Sequence, residues 1–168
     1  NAFYAAGGDI VLFSGGKEIS GPNDTGILCG KAEWVAAARA QAFPNPGIGR
    51  PLKVSKEQLV GLVFALRRFA GQDEAARMAR WQAMAERMRD ALQGIAGVQP
   101  EVALPSRGGR PLCIPRARLA IDESVVGRTI QQMDDMLEGG DPAVAVFADV
   151  ANSAIWLTPQ HLEDGQEL

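Results

Sequence analysis

The hydrophobic pattern changes period several times along the chain, and each change marks an element. Ile10-Val11-Leu12-Phe13 is a continuous apolar run after Gly7-Gly8, the pattern of a strand buried on both faces of an α/β sheet. A glycine-rich loop from Ser14 to Gly26 separates it from a second short strand, Ile27-Leu28-Cys29, closed by Gly30. Lys31 to Ala42 then predicts a helix with Trp34, Val35 and Ala38 on one face. Three prolines and two glycines between Phe43 and Pro51 stop regular structure there.

Ser55 with Gln58 forms a capping-box signature, and Leu59, Leu62, Val63, Leu66 and Phe69 or Ala70 follow at helical spacing up to Gly71. Asp73 caps a further helix whose apolar seam runs through Trp81, Met84, Met88, Ala91 or Leu92, and Ile95, with Arg77, Arg80, Arg87 and Arg89 mostly off it. After Gly97 the period drops to two. Val98 to Leu104 and Leu112 to Ile121 read as strands around a Gly108-Gly109 turn, with a parity switch at Pro115 that implies a bulge. Asp122 to Leu137 predicts one helix with Val126, Ile130, Met133 and Leu137 on one side, and Ala143–Phe147 with Ala154–Leu157 a hairpin around Asn152-Ser153. The expected domains are therefore residues 1–54, linking helices over 55–96, and a small α+β domain over 97–168.

Composition narrows the function classes. The 168 residues are 46% hydrophobic and 22% charged, ordinary for a globular chain, and no apolar run is long enough to cross a bilayer. A net charge of −3 argues against a general nucleic-acid binder. Two cysteines, Cys29 and Cys113, and a single histidine, His161, supply neither a disulfide framework nor a four-ligand zinc site, which points to a reduced, cytoplasmic protein. Both cysteines read as small core residues, the three tryptophans as core or interface, and His161 as exposed. The chain opens on Asn1 with no signal-peptide pattern, and its first strand lies so near the start that the sequence reads as beginning inside a longer protein.

Three catalytic motifs fail. A phosphate-binding loop around Lys17 would need glycine where Val11 stands and Ser or Thr where Glu18 stands, a dinucleotide fingerprint would need glycine at Leu52 and a preceding strand, and a nucleophile elbow around Ser14 would need glycine at Leu12. What remains is Lys17 just past a strand, on a loop with Gly15, Gly16 and Gly21. Glycines let backbone N–H groups approach an anion, and a partly desolvated lysine beside other cations can attack a carbonyl to form a Schiff base. Ser14 lies three residues earlier, within reach of a phosphate on the same ligand.

The segment Ser14-Gly15-Gly16-Lys17-Glu18-Ile19-Ser20-Gly21-Pro22-Asn23-Asp24-Thr25-Gly26, followed by Ile27-Leu28-Cys29-Gly30-Lys31, resembles the cofactor-lysine segment of the selenocysteine-synthase-like (L-seryl-tRNA(Sec) selenium transferase-like) family. So does Pro46-Gly47-Ile48-Gly49-Arg50-Pro51-Leu52-Lys53-Val54-Ser55-Lys56-Glu57. These are pyridoxal-phosphate enzymes of the aspartate-aminotransferase fold, fold type I. The resemblance implies the end of the large cofactor-binding domain, linking helices and the small C-terminal domain. It implies pyridoxal 5′-phosphate as cofactor, held as an internal aldimine on Lys17, with Ser14, Gly16, Gly21 and Pro22 around it. It also implies active sites shared between two copies of the chain. Arg50 is a candidate anion contact to either the cofactor phosphate or the substrate, and Arg118, alternating with Arg116 on a strand of the small domain, to a substrate carboxylate. The family draws the partner of the pyridine nitrogen from a segment upstream of the lysine, and Asp9 is too close to Lys17 to replace it. The chain alone is thus expected to be inactive.

The implied activity is a lyase or transferase acting on a small amino acid or amino sugar, by elimination or replacement. An acidic chain without a basic appendage makes a tRNA substrate the less favoured alternative. A non-catalytic interaction domain of the same fold is the alternative from a different class.

Overall fold

The computed structural model describes residues 2–105 and 114–167. It separates into two compact units, Asn1–Gln72 and Asp73–Leu168. The class is mixed α/β.

In the first unit the order is α1 (Ala2–Ala5), β1 (Ile10–Ser14), β2 (Gly26–Gly30), α2 (Ala32–Gln41) and α3 (Lys56–Ala70). β1 and β2 pair antiparallel, from Ile10 opposite Gly30 to Ser14 opposite Gly26. At the open end of this ribbon Lys31 Nζ reaches Asp9 Oδ1 at 2.5 Å. The strand at Ile10–Phe13 forms as expected but is not buried on both faces: Leu12 is 73% exposed, and Ile10 and Phe13 are exposed too. The physical reason is the sheet itself, which has two strands and so cannot present a layered interior among the described residues.

α3 begins where the sequence places it. Ser55 Oγ accepts from the Gln58 backbone N–H at 3.1 Å, and the Gln58 side chain accepts from the Ser55 N–H at 2.7 Å, so both halves of the capping box are made. The Gln58 amide also donates to Asp24 at 3.2 Å, which ties the start of α3 to the loop between the strands. Only Leu62 and Ala65 of α3 are buried; Leu59, Val63 and Leu66, which the apolar spacing puts on the same seam, are exposed. α2 buries no residue, and Trp34 stands exposed on it.

The second unit runs α4 (Glu74–Ala91), β3 (Val98–Ala103), β4 (Arg116–Ile121), α5 (Glu123–Val126), α6 (Ile130–Glu138), β5 (Phe147–Asp149), a 3-10 turn (Val150–Asn152) and β6 (Ala154–Leu157). The strands form one antiparallel sheet in the order β3-β4-β6-β5. Alternation fixes its two faces. Ala117, Leu119 and Ile121 of β4 are buried, and Leu119, Ile121, Ile130 and Ile155 form the core, with Val98, Met133 and Leu137 against it. On α4 the buried set is Trp81, Met84, Ala85 and Met88, the predicted seam, while Ile95 beyond the helix is exposed. The α4 arginines that lie off this seam hold the C-terminal segment: Arg80 donates to Asp164 at 2.7 Å and to the Leu162 carbonyl at 2.9 Å, and Arg87 donates to Glu167 at 2.6 Å.

Two expectations are corrected here. The single helix over Asp122–Leu137 is two, because Gly127 takes the left-handed conformation at φ 72° and ends α5, after which Thr129 and Gln132 form a new capping box that starts α6. The first hairpin strand is Phe147–Asp149 rather than Ala143–Phe147, and the turn is a 3-10 segment followed by Ser153 at φ 44°. The proposed Gly108-Gly109 turn, Leu112 and Cys113 lie outside the described residues, and the second strand is described from Arg116, directly after Pro115.

No helix among the described residues is long and apolar enough to cross a membrane.

Candidate functional site

β1 carries the chain to Ser14, the last strand residue, which is exposed and opposite Gly26. From there the loop folds on its own backbone. Gly15 N–H donates to the Thr25 carbonyl at 2.8 Å, Gly21 N–H to the Gly15 carbonyl at 2.8 Å, and Ser20 N–H to the Lys17 carbonyl at 2.7 Å. Thr25, itself buried, donates from Oγ1 to the Pro22 carbonyl at 2.6 Å. These bonds close the loop into a fixed turn with Lys17 at its outer corner.

The loop is walled so closely that side chains do not fit at its glycines. A Cβ on Gly15 would overlap Thr25 Oγ1 and come within 2.7 Å of Leu62 Cδ1 on α3. On Gly16 it would lie 2.7 Å from the Asn23 Cα, and on Gly21 3.0 Å from the Gly15 carbonyl oxygen. A Cβ on Gly61 of α3 would come within 2.8 Å of Pro22. Glycines at 15 and 21 thus let the Leu62 and Ala65 side chains of α3 meet the loop backbone, and Gly61 lets the Pro22 ring meet the helix backbone. The two buried side chains of α3, Leu62 and Ala65, lie against this turn, within reach of those glycine positions.

Lys17 is exposed, and its amine has no hydrogen-bond or ion-pair partner among the described residues. The rigid turn fixes where the lysine starts; its four-carbon stem sets how far the amine reaches.

The second cationic feature of this unit is the loop after α2. Gly49 N–H donates to the Gln41 carbonyl at 2.9 Å, Ile48 N–H to the Gln41 side chain at 3.2 Å, and the Asn45 amide to the Arg39 carbonyl at 2.9 Å, so the loop turns back on the end of the helix. Within it the Phe43 ring has the Arg50 guanidinium at 4.7 Å and the Lys53 ammonium at 5.6 Å from its centre. The electron-rich face of the ring attracts each cation and so brings two like charges near one another.

Arg116 and Arg118 belong to the second unit. Arg118 pairs with Glu101 across the β3–β4 ladder at 2.9 Å and sits 5.8 Å from the Trp156 ring. Lys17, Ser14, Gly16, Gly21 and Pro22 therefore share one turn, Arg50 occupies a separate loop of the same unit, and Arg118 lies in the other unit. Sequence reasoning passed over Lys53 as a partner to Arg50, and over Phe147, Asp149 and Asn152, which line a cleft of about 240 Å³ with Arg116, Arg118 and Trp156. Only cross-strand register reveals that grouping. Cys29 is half-buried, and His161 is exposed as expected.

No family model matches the chain. It is 30% identical over 98% of its length to D-glucosaminate-6-phosphate ammonia lyase of Salmonella typhimurium, covering 42% of that protein. It is 33% identical over 84% of its length to 5′-C-glycyluridine monooxygenase-decarboxylase of a Streptomyces species, covering 34% of it. L-seryl-tRNA(Sec) selenium transferase of Solidesulfovibrio magneticus is 38% identical over 42% of the chain. Among solved structures, one of a D-glucosaminate-6-phosphate ammonia-lyase superposes over 97% of the chain and 42% of its own length, with a TM-score of 0.68 and 29% identity. The chain thus spans less than half the length of these relatives.

Proposed function

Because the chain is a homologue of D-glucosaminate-6-phosphate ammonia lyase over nearly its whole length, and of L-seryl-tRNA(Sec) selenium transferase over part of it, we propose that it carries the cofactor-attaching half of a pyridoxal-phosphate enzyme. The observation that carries this reading is Lys17: an amine without a partner among the described residues, on a turn closed by its own backbone hydrogen bonds.

The residues present fit the group. An aldehyde needs a primary amine that no carboxylate has claimed, and Lys17 supplies it. The glycine positions at 15, 16 and 21 are closed on by Thr25, Leu62, Asn23 and the loop's own backbone, so glycine there holds the course of the loop that carries Lys17. Lys17 would hold the cofactor, Ser14 would donate its hydroxyl to the phosphate, and Gly16, Gly21 and Pro22 would shape the wall. Bound there, the cofactor supplies an electron sink for charge left at the carbon bearing the substrate's amine.

Lys17 Nζ, when not engaged with the cofactor, takes the proton from that carbon as general base. Arg50 orients an anionic group of the substrate, since its charge lies over the Phe43 ring with no carboxylate paired to it among the described residues. The favoured substrate is a small amino acid or amino sugar, and the favoured reaction an elimination or replacement. The relatives include a lyase, a transferase and a monooxygenase-decarboxylase, so the reaction type is left open among them. A cytoplasmic assembly of two or more copies fits the exposed apolar positions on α3, namely Leu59, Val60, Val63 and Phe64.

The test is borohydride reduction of the natural full-length protein after incubation with pyridoxal phosphate, followed by peptide mapping. The expected result is one pyridoxyl adduct, on Lys17, absent from Lys17→Ala. No adduct, or adducts spread equally over Lys31, Lys53 and Lys56, overturns the reading in favour of a non-catalytic domain of the same fold.

A further inference from the structure

We infer that the helix-covered side of the second unit's sheet holds a binding cleft for a short amphipathic anion, an acyl chain with one charged head, and that Arg128 receives the head. α4 packs over β3 and β4, and α6 packs over β5, at the other edge of the sheet. A cleft of about 310 Å³ remains between the end of α4 and α6. Its floor is Leu119 beside Ile155, partners in the β4–β6 ladder and both buried. Leu92 and Ile95 wall the α4 side, and Met133 and Met136 the α6 side. The gap is built into the chain: α4 ends at Ala91, and Gly94 and Gly97, at φ 80° and 79°, turn the backbone down into β3 instead of across the opening.

Among the described residues Arg128 is the one polar side chain on this lining. It stands between Gly127, which ends α5, and Thr129, which caps α6, so the break between those helices sets the guanidinium at the cleft. The side chain is exposed and has no hydrogen-bond or ion-pair partner among the described residues. The neighbouring Glu123 carboxylate is engaged elsewhere, accepting from the Ile130 N–H at 2.9 Å. An unpaired fork of N–H donors beside an otherwise apolar lining complements a ligand with an anionic end and a hydrocarbon end.

Size and wall chemistry narrow the class. The volume lies at the lower end of the ~300–1,000 Å³ typical of ligand pockets, which suits a chain of about eight carbons rather than a long lipid or a nucleotide. Unbranched, pliable methionines at positions 133 and 136 adapt to such a chain, and each methylene withdrawn from water adds to its affinity. A short polar anion gains nothing from these walls, and a neutral chain gains nothing from Arg128. The cleft needs neither Lys17 nor the cofactor, so its failure leaves the lysine reading standing, and failure of the borohydride test leaves this one standing.

The experiment titrates the natural full-length protein, isotopically labelled at its methionine methyl groups, with octanoate, 1-octanol and acetate in turn by NMR. The Met133 and Met136 signals are assigned by their loss in Met133→Leu and Met136→Leu. The expected result is a saturable shift of both signals with octanoate, which binds about tenfold or more tighter than 1-octanol or acetate. Arg128→Gln should remove that advantage, Arg128→Lys should keep part of it, and the 1-octanol titration should be the same in all three, which separates lost charge from lost folding. No saturable shift with octanoate, octanoate binding no tighter than 1-octanol, or an unchanged octanoate titration in Arg128→Gln overturns the inference. Signals of Met133 and Met136 that move with protein concentration alone overturn it as well, in favour of a second copy of the chain seated in the cleft.

Discussion

Residues 73–168 and residues 1–72 use apolar sequence to different ends. In the second unit Met84, Ala85, Ala117, Ile130 and Ala154 are withdrawn from solvent altogether, and four strands with α4 and α6 make a closed core. In the first, Leu62 and Ala65 are the buried apolar side chains, both against the lysine turn, while Leu12, Phe13, Val60 and Phe64 stay exposed on strands and helices of good apolar periodicity. Regular secondary structure is therefore not evidence of a finished core. The second unit stabilises itself through buried side chains; the first keeps its shape through caps, a backbone-closed loop and glycine contacts, with large apolar faces left uncovered.

The sharpest way to break this contrast is a pair of truncations. Ile130→Ala removes a wholly buried side chain and is expected to destabilise the second unit by about 2–5 kcal/mol, whereas Phe64→Ala, at a position 73% exposed, is expected to change stability by less than ~0.5 kcal/mol. Denaturant unfolding of both variants measures it, and equal losses would mean that α3 is covered in solution. Gly15→Ala comes next. Its methyl would meet Thr25 Oγ1 and Leu62, an overpacking expected to cost about 1–3 kcal/mol, and hydrogen exchange at Gly21 and Thr25 should accelerate with it.

The caps give smaller effects in both units. Ser55→Ala and Thr129→Ala each lose the side-chain half of a capping box and are expected to cost ~1 kcal/mol, read from the helical circular dichroism and midpoint of each variant. Smallest is a pH effect at the start of α5. The Ser124 hydroxyl, then the Ser124 and Val125 backbone N–H groups, donate to Asp122 and hold its carboxyl below the usual carboxylate range. Its folded pKa is depressed, so its contribution is present above the ordinary carboxylate pKa and is lost as pH falls through the lower folded value. Asp122→Asn should flatten stability in that acidic window only, and an unchanged acid limb would remove Asp122 from the account.

Local signals were the legible part of the fold. Ser55 with Gln58, Asp73, and the buried parity of Ala117, Leu119 and Ile121 all stand where spacing puts them. The break at Gly127 was also written locally, as a glycine followed by Thr129-x-x-Gln132, but Val126, Ile130, Met133 and Leu137 keep helical spacing across it and mask the interruption. Val146 shows the reverse case, packing on the core without belonging to a strand. In the site, the turn around Lys17 was legible because glycine and lysine lie together in sequence. The cleft beside Arg116 was not, since Phe147, Asp149 and Trp156 join it through register that no local window contains. The burial expected of β1 failed for the same reason: it depends on what lies over the ribbon, not on its own residues.

The ties from Arg80 to Asp164 and from Arg87 to Glu167 bring the last residues of the second unit alongside its first helix. Glu167 is held at Arg87, about four turns into α4, so the two ends of this unit are separated by about 20 Å of helix rise. A linker of roughly eight or more residues from residue 167 back to residue 73, with new termini opened in the turn at Gly139-Gly140, would give a circular permutant with the same sheet. The order in which this unit is threaded is thus separable from the shape it takes.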